Sequence, residues 1–229
     1  MSKLRILLLG LFIASSVQEN IYPHKVTVNT NSHTTCSGTV ISPDSLLVLI
    51  DCIDITNHDM NVKIRRHGLN MTDSGDIYTI KRIILDPNYN DEFTQDNGYA
   101  ILKLDRKIES EGARFDANAQ KVAKGTSCST LSIIHEDNPR LSTYWTDMKY
   151  VTLKVMDMSE CKDLFVYGQN SNNYICVQEE NAEDCQGELA APLVCNGVVV
   201  GISTCDVGCF GHKVCAYRKI ASIGNFVFQ

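Results

Sequence analysis

The sequence has no apolar run of the ~20 residues that a membrane-spanning helix needs. Its N-terminal apolar run, Ile6 to Ile13, has only eight residues. Lys3 and Arg5 precede this run, and the small residues Ala14 to Ser16 follow it. A basic start, a short apolar stretch and small residues predict a secretory signal peptide over residues 1–16. We therefore expect a secreted, extracellular protein with no membrane segment.

Basic residues are the scarcer charged class, with 21 Lys and Arg against 27 Asp and Glu. Removal of the predicted signal peptide takes away Lys3 and Arg5 but no acid, which leaves 19 basic residues and a net charge of −8. Such a surface repels phosphate groups. Nucleic acids and anionic membranes are therefore excluded as expected partners.

The chain also lacks linkers, internal repeats, heptads, low-complexity tracts and strong helical periodicity, so residues 17–229 are predicted to form one domain. Short β-rich runs separated by turn residues predict an all-β sandwich or barrel. A short helix is expected to begin near Met158, because Ser159 can cap the following amides. The β-rich runs are Lys25–Val28, Thr39–Ile41, Leu46–Ile50, Tyr78–Leu85, Tyr99–Leu104, Tyr150–Val155, Tyr174–Val177, Leu193–Cys195 and Val198–Ser203.

Cysteine is abundant, with ten residues in the chain. Disulfides persist in oxidising compartments and are rare in the cytosol. An even number of cysteines in an exported chain therefore predicts about five bridges, although the count alone does not give their pairing.

Three sequence blocks occur in the order found in the trypsin and chymotrypsin family of serine proteases. Cys36 to Cys52 resembles the family's Cys-Gly-Gly strand and Leu-Thr-Ala-Ala-His-Cys turn, and Asn97 to Leu104 resembles its Asp-Ile-Ala-Leu-Leu-Lys-Leu stretch. Cys185-Gln-Gly-Glu-Leu-Ala-Ala-Pro-Leu-Val-Cys195 is similar to Cys-Gln-Gly-Asp-Ser-Gly-Gly-Pro-Leu-Val-Cys, with seven of eleven positions identical. The resemblance implies two six-stranded antiparallel β-barrels, a cleft between them, and a short intermediate or C-terminal helix.

The same resemblance places different residues at the three positions of the catalytic triad. Asp51 stands where the family has its histidine, Gly98 where it has its aspartate, and Leu189 where it has its serine. The alkyl side chain of Leu189 has no atom that can attack a carbonyl group or accept a proton. We therefore expect no catalytic residues and no enzyme activity.

The loop around the missing serine is altered as well. Gly187 and the backbone of Leu189 correspond to the oxyanion hole. Ala190 and Ala191 replace two glycines, and a Cβ in a left-handed conformation costs about 1 kcal/mol. Glu188 replaces the aspartate that pairs with the family's cleaved N-terminus, whose equivalent would fall inside the predicted signal peptide. No zymogen switch is therefore expected.

The resemblance also implies four disulfides and places the two remaining cysteines, Cys205 and Cys215, on facing walls of the primary specificity pocket. A bridge between these two is reasonable if their Cα atoms lie within about 7 Å, and it would close the pocket. Asp206 replaces a glycine of the pocket wall, and Glu183 lies at the pocket floor. The four implied disulfides are Cys36–Cys52, Cys128–Cys195, Cys161–Cys176 and Cys185–Cys209.

Local residues suggest two further sites. Cys205, Cys209, His212 and Cys215 together form an alternative zinc-type set, although metal binding would leave Cys185 unpaired, so we expect no metal and no cofactor. Asn70 begins an Asn-Met-Thr sequon, which predicts a glycan on a surface loop.

These features favour a secreted serine protease homologue that works by binding a protein: a protease, a protease substrate or an inhibitor. Two alternatives stay open. One is an altered hydrolase that uses Asp51 or Glu188 as an acid or base. The other is a structural or carrier protein of a secreted fluid. The oligomeric state is not indicated by the sequence.

Overall fold

The computed structural model describes residues 25–29, 35–53, 61–66, 76–87, 89, 98–109, 112–115, 122–136, 145–164, 171–179, 190–204 and 214–227. The predicted signal peptide and the predicted glycosylation site at Asn70 lie outside these residues.

Six antiparallel strands form a closed first barrel, in the order β1-β2-β3-β6-β5-β4, with β4 pairing back to β1. The turn between β2 and β3 consists of Pro43 and Asp44. There the Asp44 carboxylate accepts hydrogen bonds from the hydroxyls of Ser42 and Ser45, which lower its pKa. The strands are β1 Lys25–Asn29, β2 Thr35–Ser42, β3 Ser45–Leu49, β4 Asn61–Arg66, β5 Asp76–Leu85 and β6 Tyr99–Leu104.

The next six strands form a second closed barrel in the order β10-β11-β12-β9-β8-β7. This order repeats that of the first barrel, because in each barrel the first strand pairs with the fourth and the third with the sixth. The strands are β7 Ser127–Glu136, β8 Trp145–Val155, β9 Tyr174–Glu179, β10 Pro192–Cys195, β11 Val198–Ser203 and β12 Val214–Lys219.

Helices are few and short in the described residues. They are the 3-10 helices Ile50–Cys52, Met158–Leu164 and Ser171–Asn173 and the α-helix α1, Ile220–Val227. The helix expected near Met158 is thus present as a 3-10 helix, and the short C-terminal helix is present as α1. The expected all-β fold of two six-stranded barrels is confirmed.

Three strands, β4, β7 and β12, are absent from the list of β-rich runs in the sequence. β4 reads Asn-Val-Lys-Ile-Arg-Arg, and only two of its six residues are apolar. Its backbone nevertheless pairs with both β1 and β5. Because the ladder uses backbone N–H and C=O groups, a polar segment forms a strand when neighbours on both sides supply partners.

Both faces of β3 are covered, which explains why all five of its residues are buried. Leu46 and Val48 point into the core of the first barrel. Leu47 and Leu49 point outward, as alternation along a strand requires, and pack in a cluster to which both barrels contribute. We call this second group the interbarrel cluster. Its buried members are Cys36, Leu47, Leu49, Cys52, Tyr99, Ile101, Ala190, Val194, Val199, Ile202, Ile220, Ile223, Phe226 and Val227.

Three of the implied disulfides are confirmed: Cys36–Cys52, Cys128–Cys195 and Cys161–Cys176. Cys128 and Cys195 lie opposite each other on β7 and β10, with their Cα atoms 4.3 Å apart. These two strands pair through only two residue pairs, so the disulfide lies in the short seam that closes the second barrel. The Cys161–Cys176 bridge ties the 3-10 helix Met158–Leu164 to β9.

The packing of Gly38 on β2 predicts a large effect of a single methyl group. A Cβ there would lie 2.8 Å from Cγ2 of Val28 and 3.3 Å from Cγ2 of Val26. Because core valines have little rotamer freedom, we expect Gly38→Ala to lower the free energy of unfolding by about 1–3 kcal/mol. Equilibrium urea unfolding of the two proteins measures the difference.

Gly98→Ala is the matched control, because the one atom of the described residues found within 4 Å of a Cβ at that position is Cβ of Ile50, at 3.9 Å. This control should change stability by less than about 1 kcal/mol in either direction. Equal losses of unfolding free energy in the two variants would show that packing does not require a glycine at position 38.

Candidate functional site

Asp51 and Gly98, two of the three triad-equivalent positions, lie side by side at the end of the first barrel. Asp51 belongs to the 3-10 helix Ile50–Cys52 that follows β3, and Gly98 directly precedes β6. β3 and β6 are hydrogen-bonded neighbours. The N–H of Ile50 donates to the carbonyl oxygen of Gly98, with an N–O distance of 2.6 Å. The structure therefore brings these two backbone positions together, as the resemblance implies.

Neither backbone conformation nor the described neighbours require the glycine at position 98. Its φ lies outside the left-handed region, and among the described residues a Cβ would meet Cβ of Ile50 alone, at 3.9 Å. Gly98 is also partly exposed. The described residues thus leave room for a Cβ at the position where the family carries its aspartate.

Leu189, the third triad-equivalent position, lies outside the described residues, but its neighbour Ala190 is described. The Ala190 N–H donates to the carbonyl oxygen of Ser203, at 3.1 Å, and the Ser203 N–H donates to that of Ala191, at 2.8 Å. Ala190 is fully buried in the interbarrel cluster. The same cluster contains Cys52 and Tyr99. Sequence neighbours of all three triad-equivalent positions therefore meet in one apolar layer.

Ala190 has a left-handed backbone, with φ of 65°. This conformation is costly for a residue with a Cβ and is readily adopted by glycine. Ala191 has no positive φ. Of the two alanines that replace family glycines, only Ala190 therefore has the predicted strain.

Cys215 is the pocket-equivalent residue that the structure describes. It is buried on β12, opposite Val177 of β9, and it is disulfide-bonded. The three disulfides already named use six other cysteines, so the partner of Cys215 is Cys185, Cys205 or Cys209, all outside the described residues. The Cys205–Cys215 bridge stays a prediction. An oxidised Cys215 cannot supply a thiolate to zinc, which argues against the alternative Cys₃His site.

A buried arginine, which the sequence reasoning did not single out, joins the two barrels beside this site. Arg218 on β12 is only 5% exposed. Its guanidinium carbon lies 5.8 Å from the ring centroid of Tyr99 on β6 and 5.7 Å from that of Tyr174 on β9. Both distances are within the range of cation–π attraction. The only signal in the sequence is an arginine inside a largely apolar strand.

The remaining predicted site residues lie outside the described residues: Gly187, Glu183, Cys185, Cys205, Asp206, Cys209 and Asn70. Within the described ranges, no three His, Cys, Asp or Glu residues are grouped in a way that could hold a metal ion. The helices in those ranges are all too short or too polar to span a membrane.

Residues 14–227 match the family model described as Trypsin. The chain belongs to the trypsin family. It is 27% identical over 216 residues to pig (Sus scrofa) trypsin, which covers 92% of this chain and 90% of that protein. It is 26% identical over 222 residues to human (Homo sapiens) trypsin-3, covering 92% of this chain and 69% of that protein.

Two solved structures have a similar fold. Neuropsin, a serine protease expressed in the limbic system of mouse brain, superposes with a TM-score of 0.71 at 18% identity, covering 90% of this chain and 93% of that one. The structure called GrC gives a TM-score of 0.69 at 19% identity, with coverages of 90% and 92%. At these identities the likeness concerns the fold.

Replacement of Ala190 and of Ala191 by glycine should have different effects on stability, because only Ala190 has a strained backbone. Ala190→Gly removes a left-handed Cβ, a gain of about 1 kcal/mol, but loses a buried methyl group of about 0.8 kcal/mol. Ala191→Gly loses the methyl group and adds backbone freedom, with no strain to relieve. We expect Ala190→Gly to be near neutral and Ala191→Gly to cost about 1–2 kcal/mol, measured by urea unfolding. A larger loss at Ala190 would contradict the assigned backbone strain.

Proposed function

We propose that this chain is a secreted, non-catalytic member of the trypsin family that acts by binding a protein, and so regulates proteolysis. The observation that carries the proposal is the leucine at position 189. The partner is an active protease, a protease substrate or an inhibitor, bound at the rim of the former cleft.

No other residue is a good substitute for the missing nucleophile. The chain contains no serine between Ser171 and Ser203. Ser203 is fully buried on β11, where its N–H and C=O groups bond to the backbone of Ala191 and Ala190. A hydroxyl in that position is shielded from any bound peptide. Among the described residues from Ser171 to Ser203, no serine is therefore placed to act as a nucleophile.

The groups that would activate a nucleophile are also replaced. In a working triad, a histidine takes the proton of the serine, and a carboxylate holds the correct imidazole tautomer. Asp51 has no imidazole ring and Gly98 has no carboxylate. The described residues around Gly98 do not crowd a Cβ at that position, so their packing does not account for the glycine.

The scaffold around these positions is nevertheless intact, which supports a binding role. The Cys36–Cys52 disulfide brackets the segment that contains Asp51. Both cysteines are buried in the interbarrel cluster together with Tyr99 and Ala190. Loops supported by a rigid core are well suited to recognition. Export through the predicted signal peptide agrees with the disulfides, which persist outside the cytosol.

A serine-directed fluorophosphonate should not label the purified protein, because its reaction requires an activated hydroxyl. A panel of peptide and ester substrates should likewise show no turnover. Labelling is read by intact mass spectrometry, with pig trypsin as the positive control. The matched control is Leu189→Ala, which should behave as the parent protein does. Labelling of the parent, or turnover lost on changing Asp51 or Glu188, would contradict a purely binding role.

Restoring the triad alone should give little activity. The triple variant Leu189→Ser, Asp51→His, Gly98→Asp supplies the reacting groups but leaves Glu188 and the predicted Cys205–Cys215 bridge unchanged. We expect its kcat/KM on basic peptide substrates to stay more than about 1,000-fold below that of pig trypsin, since misplacement of catalytic groups alone costs orders of magnitude. Turnover close to that of trypsin would show that the loop and pocket are still competent.

The binding role predicts one stoichiometric protein partner in the source fluid. Cross-linking of the native fluid followed by mass spectrometry should give a single complex of defined mass. Recovery of the uncomplexed chain alone would instead favour a structural or carrier role.

A further inference from the structure

A cleft of about 390 Å³ lies at the second barrel. Its described walls come from the segment before β7, the end of β8, the 3-10 helices Met158–Leu164 and Ser171–Asn173, the start of β9 and the last residue of β12. Of the triad-equivalent and pocket-equivalent positions, the described Gly98 and Cys215 do not line it. Its volume falls within the range of about 300–1,000 Å³ typical of small-molecule sites.

The walls of this cleft are largely apolar. Val122, Met156, Met158, Tyr174 and Ile175 are among the lining residues. Methionine side chains are unbranched and adapt to irregular apolar ligands. Met156 and Met158 are both partly exposed as well as part of the lining. Such walls suit a short aliphatic chain.

One charged side chain, Lys219, belongs to the lining. Its ammonium donates a hydrogen bond to the carbonyl oxygen of Asn172, at 2.7 Å. An ammonium group has three N–H donors, which leaves two for a ligand. Burial lowers the pKa of Lys219, because its charge is incompletely hydrated at the cleft. An anion beside the Lys219 ammonium would stabilise its charge.

The nearest acid along the lining segment does not compete for this lysine. Asp157 lies between Met156 and Met158 but is exposed and forms an ion pair with Lys124. Among the described residues that line the cleft, Lys219 is therefore the only formal charge. The electrostatics favour an anionic ligand over a cationic one.

We propose that this cleft binds a small amphipathic carboxylate, with its aliphatic chain between Met156 and Met158 and its carboxylate on the ammonium of Lys219. This site is separate from the former active-site cleft and independent of the protein-binding role. It would give the chain a second binding function, for a fatty-acid-like anion.

Octanoate serves as the probe for the full secreted chain, with labelled methionine methyl groups observed by NMR and affinity measured by calorimetry. Octanoate should shift the Met156 and Met158 methyl signals saturably. 1-Octanol has the same chain without the charge and should bind about tenfold more weakly or worse. Acetate has the charge without the chain and should cause no saturable shift.

Lys219→Met removes the ammonium while keeping an aliphatic stem, and should weaken octanoate binding by about tenfold or more without changing 1-octanol binding. Lys154→Met, at an exposed lysine of β8 outside the cleft, is the control and should bind octanoate as the parent does. Met158→Glu places an acid in the cleft and should abolish octanoate binding, which keeps the test decisive if Lys219→Met does not fold. Unchanged binding by both cleft variants, equal affinities for octanoate and 1-octanol, or no saturable shift would overturn the proposal.

Discussion

The apolar layer between the barrels supports the candidate site as a whole. β3 and β6 of the first barrel present Leu49 and Ile101 to it, and β10 and β11 of the second present Val194 and Ile202. Burial of each such side chain contributes roughly 1.5–3 kcal/mol. Because successive side chains of a strand point to opposite faces, the same strands also contribute side chains to the barrel interiors. Neither barrel can shift against the other without exposing this layer, so the loop ends above it are held in place.

The buried layer and the triad-equivalent positions are neighbours in the sequence. Cys52, Tyr99 and Ala190 belong to the buried layer, and each of them lies next to a triad-equivalent position, 51, 98 or 189. The layer therefore supports the backbone beside those positions. A functional site can vary on a stable scaffold of this kind without a change of fold. The left-handed backbone at Ala190 shows the one place where the described part of this loop carries strain.

The outer cleft at Lys219 draws on a different property of the second barrel. β12 joins two environments within two residues: Arg218 faces the ring of Tyr99 at the barrel interface, and Lys219 faces the cleft. Tyr174, whose ring centroid lies 5.7 Å from the guanidinium carbon of Arg218, is also one of the residues that line the cleft. In a chain with a net charge of −6, a partly buried lysine in an apolar cleft is a local site for an anion that the rest of the surface would repel.

Local sequence patterns were sufficient for the strands with strong apolar runs, such as β3 and β6. The three sequence motifs were also sufficient to identify the family, because they retain its order and spacing. The polar strand β4 could not be recognised in this way, because its neighbours in the barrel, rather than its own side chains, supply the pairing. The sequence likewise shows no repeat, although both barrels have the same strand order, since that order depends on long-range backbone pairing.

Three properties of individual residues depend on contacts between distant segments. Ala190 has a left-handed φ, and its N–H donates a hydrogen bond to the carbonyl oxygen of Ser203, which lies on β11. The position of Arg218 between two tyrosines requires both barrels to be assembled. The cleft at Lys219 forms only when β8, β9 and β12 lie side by side. The amino-acid sequence alone was thus enough for the family and the all-β fold, whereas strain, burial and cleft shape were decided by packing between residues far apart in the chain.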